Sequence, residues 1–310
     1  MTTVPAPVPL PGRIGRWVAG ARPRTLVAAA VPVVVGTAVG WWSRSGGIAG
    51  AATVAGPGRV IWWRAGCALL VALALQIGTN YANDYSDGMR GTDTRRVGPL
   101  RLVASGAASP ARVKAAAYGC FFVAGLAGLA LAAATTWWLV PIGAACVAAG
   151  WLYTGGPRPY GYLGMGELFV FLFFGAVATV GSAYVQSGRL SLWWSSVPVG
   201  LLAAALLEAN NLRDVGGDEE AGKRTLAVRL GARRARWLYV SCFAGVAAGT
   251  VLVALARPWA LLALAGLLLA VRPSRAVLAG AQGRELLPVL GATGGVQLAV
   301  GALLALGILL

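Results

Sequence analysis

Two short stretches hold every aspartate of the chain. Asp84, Asp87 and Asp93 lie between Asn80 and Asp93, and Asp214 and Asp218 lie between Glu208 and Glu220. On a helix, Asn80, Asn83, Asp84 and Asp87 recur at i, i+3, i+4 and i+7 and share one face. Asn210, Asn211, Asp214 and Asp218 repeat the arrangement, and in both stretches an asparagine precedes an aspartate by four. Amide and carboxylate oxygens in this density suit a hard divalent cation. Mg2+ in particular takes one or two carboxylates and completes its shell with water and phosphate oxygens. The chain has no histidine, and neither stretch has a cysteine. Zinc is therefore disfavoured, and an imidazole base is excluded.

Cations flank both stretches. Arg90, Arg95, Arg96 and Arg101 follow the first; Lys223 and Arg224 follow the second, within about two helical turns of Asp218. Opposite charges at one site suit a substrate that carries phosphates together with bound metal, because arginine forks and a lysine point charge both hold phosphate oxygens. Gly216, Gly217 and Gly222 are expected to let the intervening loop fold back. Glu167 and Glu208 fall at or inside apolar runs, where an acid is costly and a specific partner is expected. A helix N-terminus is the other reading of Glu167. Glu219, Glu220 and Glu285 read as loop charges.

The elements that must position these groups follow from composition. The chain has 310 residues, 58% of them hydrophobic and 12% charged, with mean hydropathy +0.71. A soluble domain carries about twice that share of charge. Runs of about 20 apolar residues are long enough to cross a hydrocarbon layer as helices. The runs do not alternate as barrel strands would. The expected fold is all-α: a polytopic membrane protein with nine spans near 25–42, 65–82, 112–134, 138–154, 165–186, 193–212, 235–255, 258–271 and 286–308. Residues 1–24 form an N-terminal segment without the apolar core of a cleavable signal, and 25–310 one transmembrane domain.

Charge sets an expected orientation. With the N-terminus cytoplasmic, all 26 cations except Arg44, Arg59, Arg64, Arg189 and Arg257 fall in cytoplasmic segments. The C-terminus then lies outside, in a cell-membrane protein. The net charge of +16 reads as this loop bias rather than as a nucleic-acid surface. Trp41, Trp42, Trp62, Trp63, Trp137, Trp138, Trp193, Trp194 and Trp259 cluster at outer span ends, and Trp17, Trp151 and Trp237 near inner ones, as interfacial indoles do. Cys67, Cys120, Cys146 and Cys242 are scattered in apolar runs and form neither a disulfide framework nor a thiolate site. On this topology both acidic stretches and the loop Tyr153–Tyr162 open to one aqueous side. A cation transporter with an ion site on the paired Asn/Asp faces is the rival class.

The order of motifs resembles the UbiA superfamily of intramembrane aromatic prenyltransferases, over essentially the whole chain. The resemblance is carried by Ala21-Arg22-Pro23-Arg24-Thr25-Leu26, Asn83-Asp84-Tyr85-Ser86-Asp87, Gly91-Thr92-Asp93 and Tyr153-Thr154-Gly155-Gly156-Pro157. It continues in Gly161 to Glu167, in Asn210-Asn211-Leu212-Arg213-Asp214 and in Ala221 to Ala227. These residues look most like the menaquinone-pathway branch. Many members place a further aspartate four after the one matching Asp87; Gly91 stands there, and Asp93 is not assigned a metal role.

The resemblance implies a nine-helix bundle with a central cavity, membrane lipid around it and no nucleic-acid partner. A polyprenyl diphosphate would bind with Mg2+ on Asp84, Asp87, Asp214 and Asp218, which are the expected catalytic and metal residues. Dihydroxynaphthoate would be the acceptor. The expected substrate-binding residues are Asn80, Asn83, Arg90, Tyr153, Arg158, Tyr160, Glu167, Asn210, Asn211, Lys223 and Arg224. Arg158 is the candidate for the acceptor carboxylate, and Tyr81, Tyr85, Tyr153 and Tyr160 for stabilising an allylic cation. Other superfamily acceptors are 4-hydroxybenzoate, homogentisate, a chlorophyll precursor, haem or a sugar phosphate.

Overall fold

The computed structural model describes residues 12–46, 59–92 and 100–310. Asp93, Arg95 and Arg96 lie outside these. The described residues are helical, with no strand among them. In chain order the helices are α1 (Arg13–Ala21), α2 (Val27–Arg44), α3 (Trp62–Arg90), α4 (Pro110–Ala134), α5 (Leu139–Leu152) and α6 (Gly166–Ser187). There follow α7 (Ser196–Glu220), the short α8 (Leu226–Leu230), α9 (Ala232–Ala254), α10 (Pro258–Leu278) and α11 (Gly283–Leu309).

Seven of these, α2, α3, α4, α6, α9, α10 and α11, are long and apolar enough to cross a membrane. Two expected spans fall short of that measure for separate reasons. Helix α5 is apolar but only 14 residues long. Helix α7 has 25 residues, but its second half carries Glu208, Arg213, Asp214, Asp218, Glu219 and Glu220. Helix α1 was not expected. It lays Trp17 on Tyr81 at 5.6 Å, edge to face, and buries Gly20 and Ala21, while Ile14 and Val18 stay exposed.

The helices approach closely where side chains are smallest. A Cβ on Gly36 would lie 2.2 Å from the Thr179 carbonyl oxygen, and one on Gly40 2.8 Å from that of Ala183. Helices α2 and α6 therefore touch backbone to backbone, as small residues permit in membrane bundles. Between Phe171 and Val180, α6 widens to a π-helix, and Thr179 Oγ1 donates to the Phe174 carbonyl five residues back. Such wide turns recur beside functional sites.

Helices α3 and α7 are the two that carry the acidic stretches. At about 1.5 Å per residue they run about 44 and 38 Å, enough to cross the bundle and project their last turns from it. Helix α7 continues unbroken to Glu220, so Gly216 and Gly217 are helical and do not supply the expected loop. The reversal falls to Gly222 alone, at φ +71°.

The far end is tied by side chains. Gln186 Nε2 donates to the Ile61 carbonyl at 3.0 Å while Gln186 Oε1 accepts the Ile61 N–H at 2.8 Å. Arg64 donates to the carbonyls of Val185 and Ala134, which end α6 and α4. Arg64 thus satisfies carbonyls at two helix C-termini that would otherwise be orphaned.

Candidate active site

At the end where α3 and α7 terminate, a cavity of about 1170 Å3 opens into the bundle. Its deep walls are apolar, from Val71 and Leu75 on α3 to Leu129, Ile142, Phe173 and Val177. Its mouth is polar: Asn80, Asn83, Asp87, Asn210, Asn211, Arg213, Lys223, Arg22 and Arg101 line it.

The two acidic stretches meet through Lys223. Its Nζ lies 3.9 Å from Asp87 Oδ2 and 3.8 Å from Asp218 Oδ1, so one cation reaches carboxylates from both helices. All three side chains are largely buried. Tyr162 completes the group. Its hydroxyl donates to Asp87 Oδ1 at 2.9 Å, and Lys223 sits 5.3 Å over its ring. Burial, and then the Asp87 charge, push the Tyr162 phenol up to about 12, which keeps it a donor at neutral pH.

The four aspartates do not play one part. Asp84 points away from the cavity and accepts the backbone N–H groups of Leu102 and Val103 at 2.8 and 2.9 Å, which anchors the turn before α4. Asp214 is forked by its neighbour Arg213, Nε to Oδ1 at 2.8 Å and Nη2 to Oδ2 at 2.6 Å. Asp87 and Asp218 are the pair that brackets a cation. Among the described residues no three acidic, histidine or cysteine side chains gather round one point. A metal here must complete its shell from water and substrate oxygens, which is the habit of Mg2+. The donor set is all oxygen, and the ammonium of Lys223 stands where positive charge is wanted, so the residues fit that ion.

Other expected residues separate into cavity and scaffold. Tyr153 and Tyr160 line the cavity and form an aromatic wall with Phe169: Tyr153–Tyr160 is edge to face at 5.4 Å and Tyr160–Phe169 stacked at 4.1 Å. Tyr81 instead donates to the Trp17 carbonyl, and Tyr85 stacks on Trp151; neither lines the cavity. Arg90 donates to the carbonyls of Thr154 and Gly156 and so holds the Tyr153–Tyr162 loop rather than a ligand. Thr154 Oγ1 donates to Asn83 Oδ1 at 2.7 Å, fastening the same loop. Arg158 and Arg224 are exposed and outside the cavity lining. Glu167 is behind the lining, where its Oε1 accepts from Asn211 Nδ2 at 2.6 Å.

Two residues at the site, Tyr162 beside Asp87 and Arg22 in the cavity lining, were not expected as site residues. Tyr162 lay in a quoted motif, and only its contact with Asp87 reveals it. Arg22 holds a left-handed backbone, φ 56°, which costs a non-glycine residue about 1–2 kcal/mol. Asn80 Nδ2 fastens that turn by donating to the Ala21 carbonyl at 2.9 Å and toward Thr25 Oγ1 at 3.4 Å. The Arg22 guanidinium lines the cavity, and its Nη2 is buried with no hydrogen-bonding partner. Backbone strain of this kind gathers at active sites and ligand clamps.

The comparisons agree with this architecture. The chain is 48% identical over 283 residues to the 1,4-dihydroxy-2-naphthoate octaprenyltransferase of Mycobacterium tuberculosis, covering 90% of this chain and 91% of that one. Its fold is similar to the apo UbiA homolog of Aeropyrum pernix K1, with TM-score 0.68 at 15% identity over 91% and 97% of the two chains. It is also similar to the Archaeoglobus fulgidus UbiA homolog bound to DMAPP and Mg2+, with TM-score 0.56 at 17% identity over 93% and 99%. The family model for UbiA prenyltransferases matches residues 45–286. This multi-pass helical membrane protein, with its two acidic helix ends at one polar mouth, belongs to the UbiA prenyltransferase family.

Proposed function

We propose that the protein transfers a polyprenyl chain from its diphosphate to 1,4-dihydroxy-2-naphthoate, with loss of CO2 and diphosphate. The observation that carries this reading is the convergence of Asp87, Asp218 and Lys223 at the mouth of a long apolar cavity. A diphosphate with a greasy tail needs both parts. The naming of the mycobacterial relative as a dihydroxynaphthoate octaprenyltransferase supports the acceptor. The A. fulgidus homolog, bound to DMAPP and Mg2+, supports a divalent metal.

Asp87 and Asp218 would hold Mg2+, which when bound neutralises diphosphate charge and improves the leaving group. Lys223 adds a point charge to the diphosphate oxygens. Tyr162 fixes the Asp87 carboxylate, and the Arg213 fork fixes Asp214. The prenyl tail lies along the apolar wall, which excludes water from the allylic carbon. As the C1–O bond breaks, the diphosphate leaves with the electron pair, and the Tyr153–Tyr160–Phe169 wall stabilises the charge left on the allyl group. The ring carbon that bears the carboxylate bonds to C1. The bond to the carboxylate then breaks, its electrons restore the aromatic ring, and CO2 departs. The product is the reduced form of demethylmenaquinone. No base is required, in keeping with a chain without histidine. Arg22 takes the acceptor carboxylate in place of Arg158, because Arg22 lines the cavity with its buried Nη2 left without a partner, whereas Arg158 is exposed.

This reading makes residues 25–310 one domain of nine spans, with α5 and α7 crossing in company with the seven apolar helices. The arginine bias puts the mouth and the N-terminus in the cytoplasm and the C-terminus outside. A cation transporter finds less support, because Asp84 and Asp214 are bonded within the protein and the remaining pair lies beside Lys223. The test is mass analysis of lipid products from purified protein given dihydroxynaphthoate, a polyprenyl diphosphate and Mg2+. A decarboxylated, prenylated naphthalenediol is expected; its absence, with another acceptor prenylated instead, overturns the assignment.

A further inference from the structure

Behind the cavity wall two acids are buried against each other. Glu167 stands in the first turn of α6, and Glu208, with no exposed surface, faces it from α7. No amide, hydroxyl or cationic donor reaches either oxygen of Glu208 or Glu167 Oε2, and the two carboxyls hydrogen-bond to each other. The one donor from outside the pair is Asn211 Nδ2, which reaches Glu167 Oε1 at 2.6 Å. An intramembrane acid pair without a cation is costly and marks function by default.

The geometry points to Glu167 as a positioning residue that turns the carbonyl oxygen of Asn211 toward the cavity, where it accepts a hydrogen bond from a hydroxyl of the aromatic acceptor. The inference rests on the acceptor proposed above. Its logic is that of amide valence. An asparagine amide has a donor end and an acceptor end. A carboxylate oxygen can only accept, so the Nδ2 end must face Glu167 and the Oδ1 end must face away. Asn211 lines the cavity, so away means into it. A proton shared between Glu167 and Glu208 belongs where the two carboxyls face each other, which leaves Oε1 an acceptor throughout.

Depth agrees. Asn211 precedes Asp218 by seven residues, about 10 Å along α7. The diphosphate belongs at Asp218, so the acceptor ring belongs deeper, beside Asn211. There Gly166, at the start of α6, brings Tyr153 and Leu207 together: a Cβ on it would meet both, at 3.3 and 3.2 Å. The ring thus has an aromatic face to lie on and one oxygen to set its rotation. Rotation decides which ring carbon meets C1.

The experiment compares affinity for dihydroxynaphthoate with that for 1-hydroxy-2-naphthoate and 4-hydroxy-2-naphthoate, measured as competitive inhibition in purified protein. The wild type is expected to lose about tenfold on losing one of the two hydroxyls, the worth of one buried hydrogen bond. Glu167→Met and Asn211→Leu remove the acceptor geometry, and that preference should shrink below about threefold. The Michaelis constant for the polyprenyl diphosphate should not change. Glu167→Gln keeps an oxygen for Asn211 and a donor for Glu208, and should retain the preference. A Glu167→Met protein that still discriminates between the naphthoates limits Glu167 to a structural role and overturns the inference. If that variant fails to accumulate, Asn211→Leu carries the same comparison. A wild type that binds the polyprenyl diphosphate but none of the naphthoates refutes the acceptor assignment itself. A wild type that binds all three naphthoates equally refutes only the role of Asn211.

Discussion

Lys223 Nζ lies 3.9 Å from Asp87 Oδ2, although Asp87 belongs to the first acidic stretch and Lys223 follows the second, just past the end of a different helix. With Asp218 Oδ1 at 3.8 Å, the ammonium is the link between the two stretches. Asp87→Asn, Asp218→Asn and Lys223→Met should each lower turnover by about 100-fold, the scale of removing one preorganised charge from a developing anion. The variants part company in metal binding. Without substrate, Lys223→Met should bind Mn2+ more tightly than wild type, because two buried carboxylates lose their resident cation. Electron spin resonance of the free ion measures this directly.

Asp84→Asn should act through stability rather than through metal. Its two oxygens accept two backbone N–H groups, and an asparagine would turn an NH2 toward one of them. The cost is about 1–3 kcal/mol. Thermal unfolding in detergent should fall for this variant and stay level for Asp87→Asn, which leaves the Leu102–Val103 turn intact.

Arg22→Gly separates backbone from side chain. Glycine accepts φ 56° without strain, so the turn held by Asn80 survives while the guanidinium is lost. The Michaelis constant for the acceptor should rise by about tenfold or more, with that for the diphosphate unchanged. Arg22→Lys restores only part, since an ammonium cannot grip a carboxylate with a planar fork.

Tyr162 carries a pH prediction. Its ordinary value of 10.0 is raised to about 12 in the fold, so the neutral phenol is the favoured native form. The stabilisation is whole below pH 10 and is lost as pH climbs from 10 through about 12. Near-ultraviolet tyrosinate absorbance of the folded protein should show a late component near that value, smaller by one tyrosine in Tyr162→Phe. That variant should also lower turnover, as Asp87 loses its one tyrosine donor.

Gly143 lines the deep cavity with open space where a Cβ would stand. Gly143→Leu should fill part of the tail channel. Long prenyl donors should lose turnover and short ones keep it, which a donor-length series read by mass spectrometry resolves.

Much of this was legible because membrane helices are written in long apolar runs. Both acidic stretches could be put on helices α3 and α7 by period alone, and at one end by counting arginines. Which aspartate faces the cavity could not be. Asp84 and Asp87 are less than a turn apart, and the choice depends on a turn at Leu102 that no periodicity announces. Arg90 and Arg224 looked like phosphate ligands, and Arg158 like a ligand for the acceptor carboxylate, because charge near a motif is visible and direction is not. Arg22 was passed over because backbone strain leaves no mark in composition. Helix α7 was expected to break at Gly216-Gly217. Paired glycines weaken a helix, but nothing crowds them here and the helix continues through both.

The wide turns of α6 between Phe171 and Val180 make the residue count of that helix a working part of the enzyme. Removing a single residue there would tighten the coil and swing everything on its near side by about 100° relative to its far side. Glu167 would then turn away from Asn211 while Gln186 kept its grip on Ile61. Relatives with a shortened sixth helix should therefore hold their acceptor by some other residue.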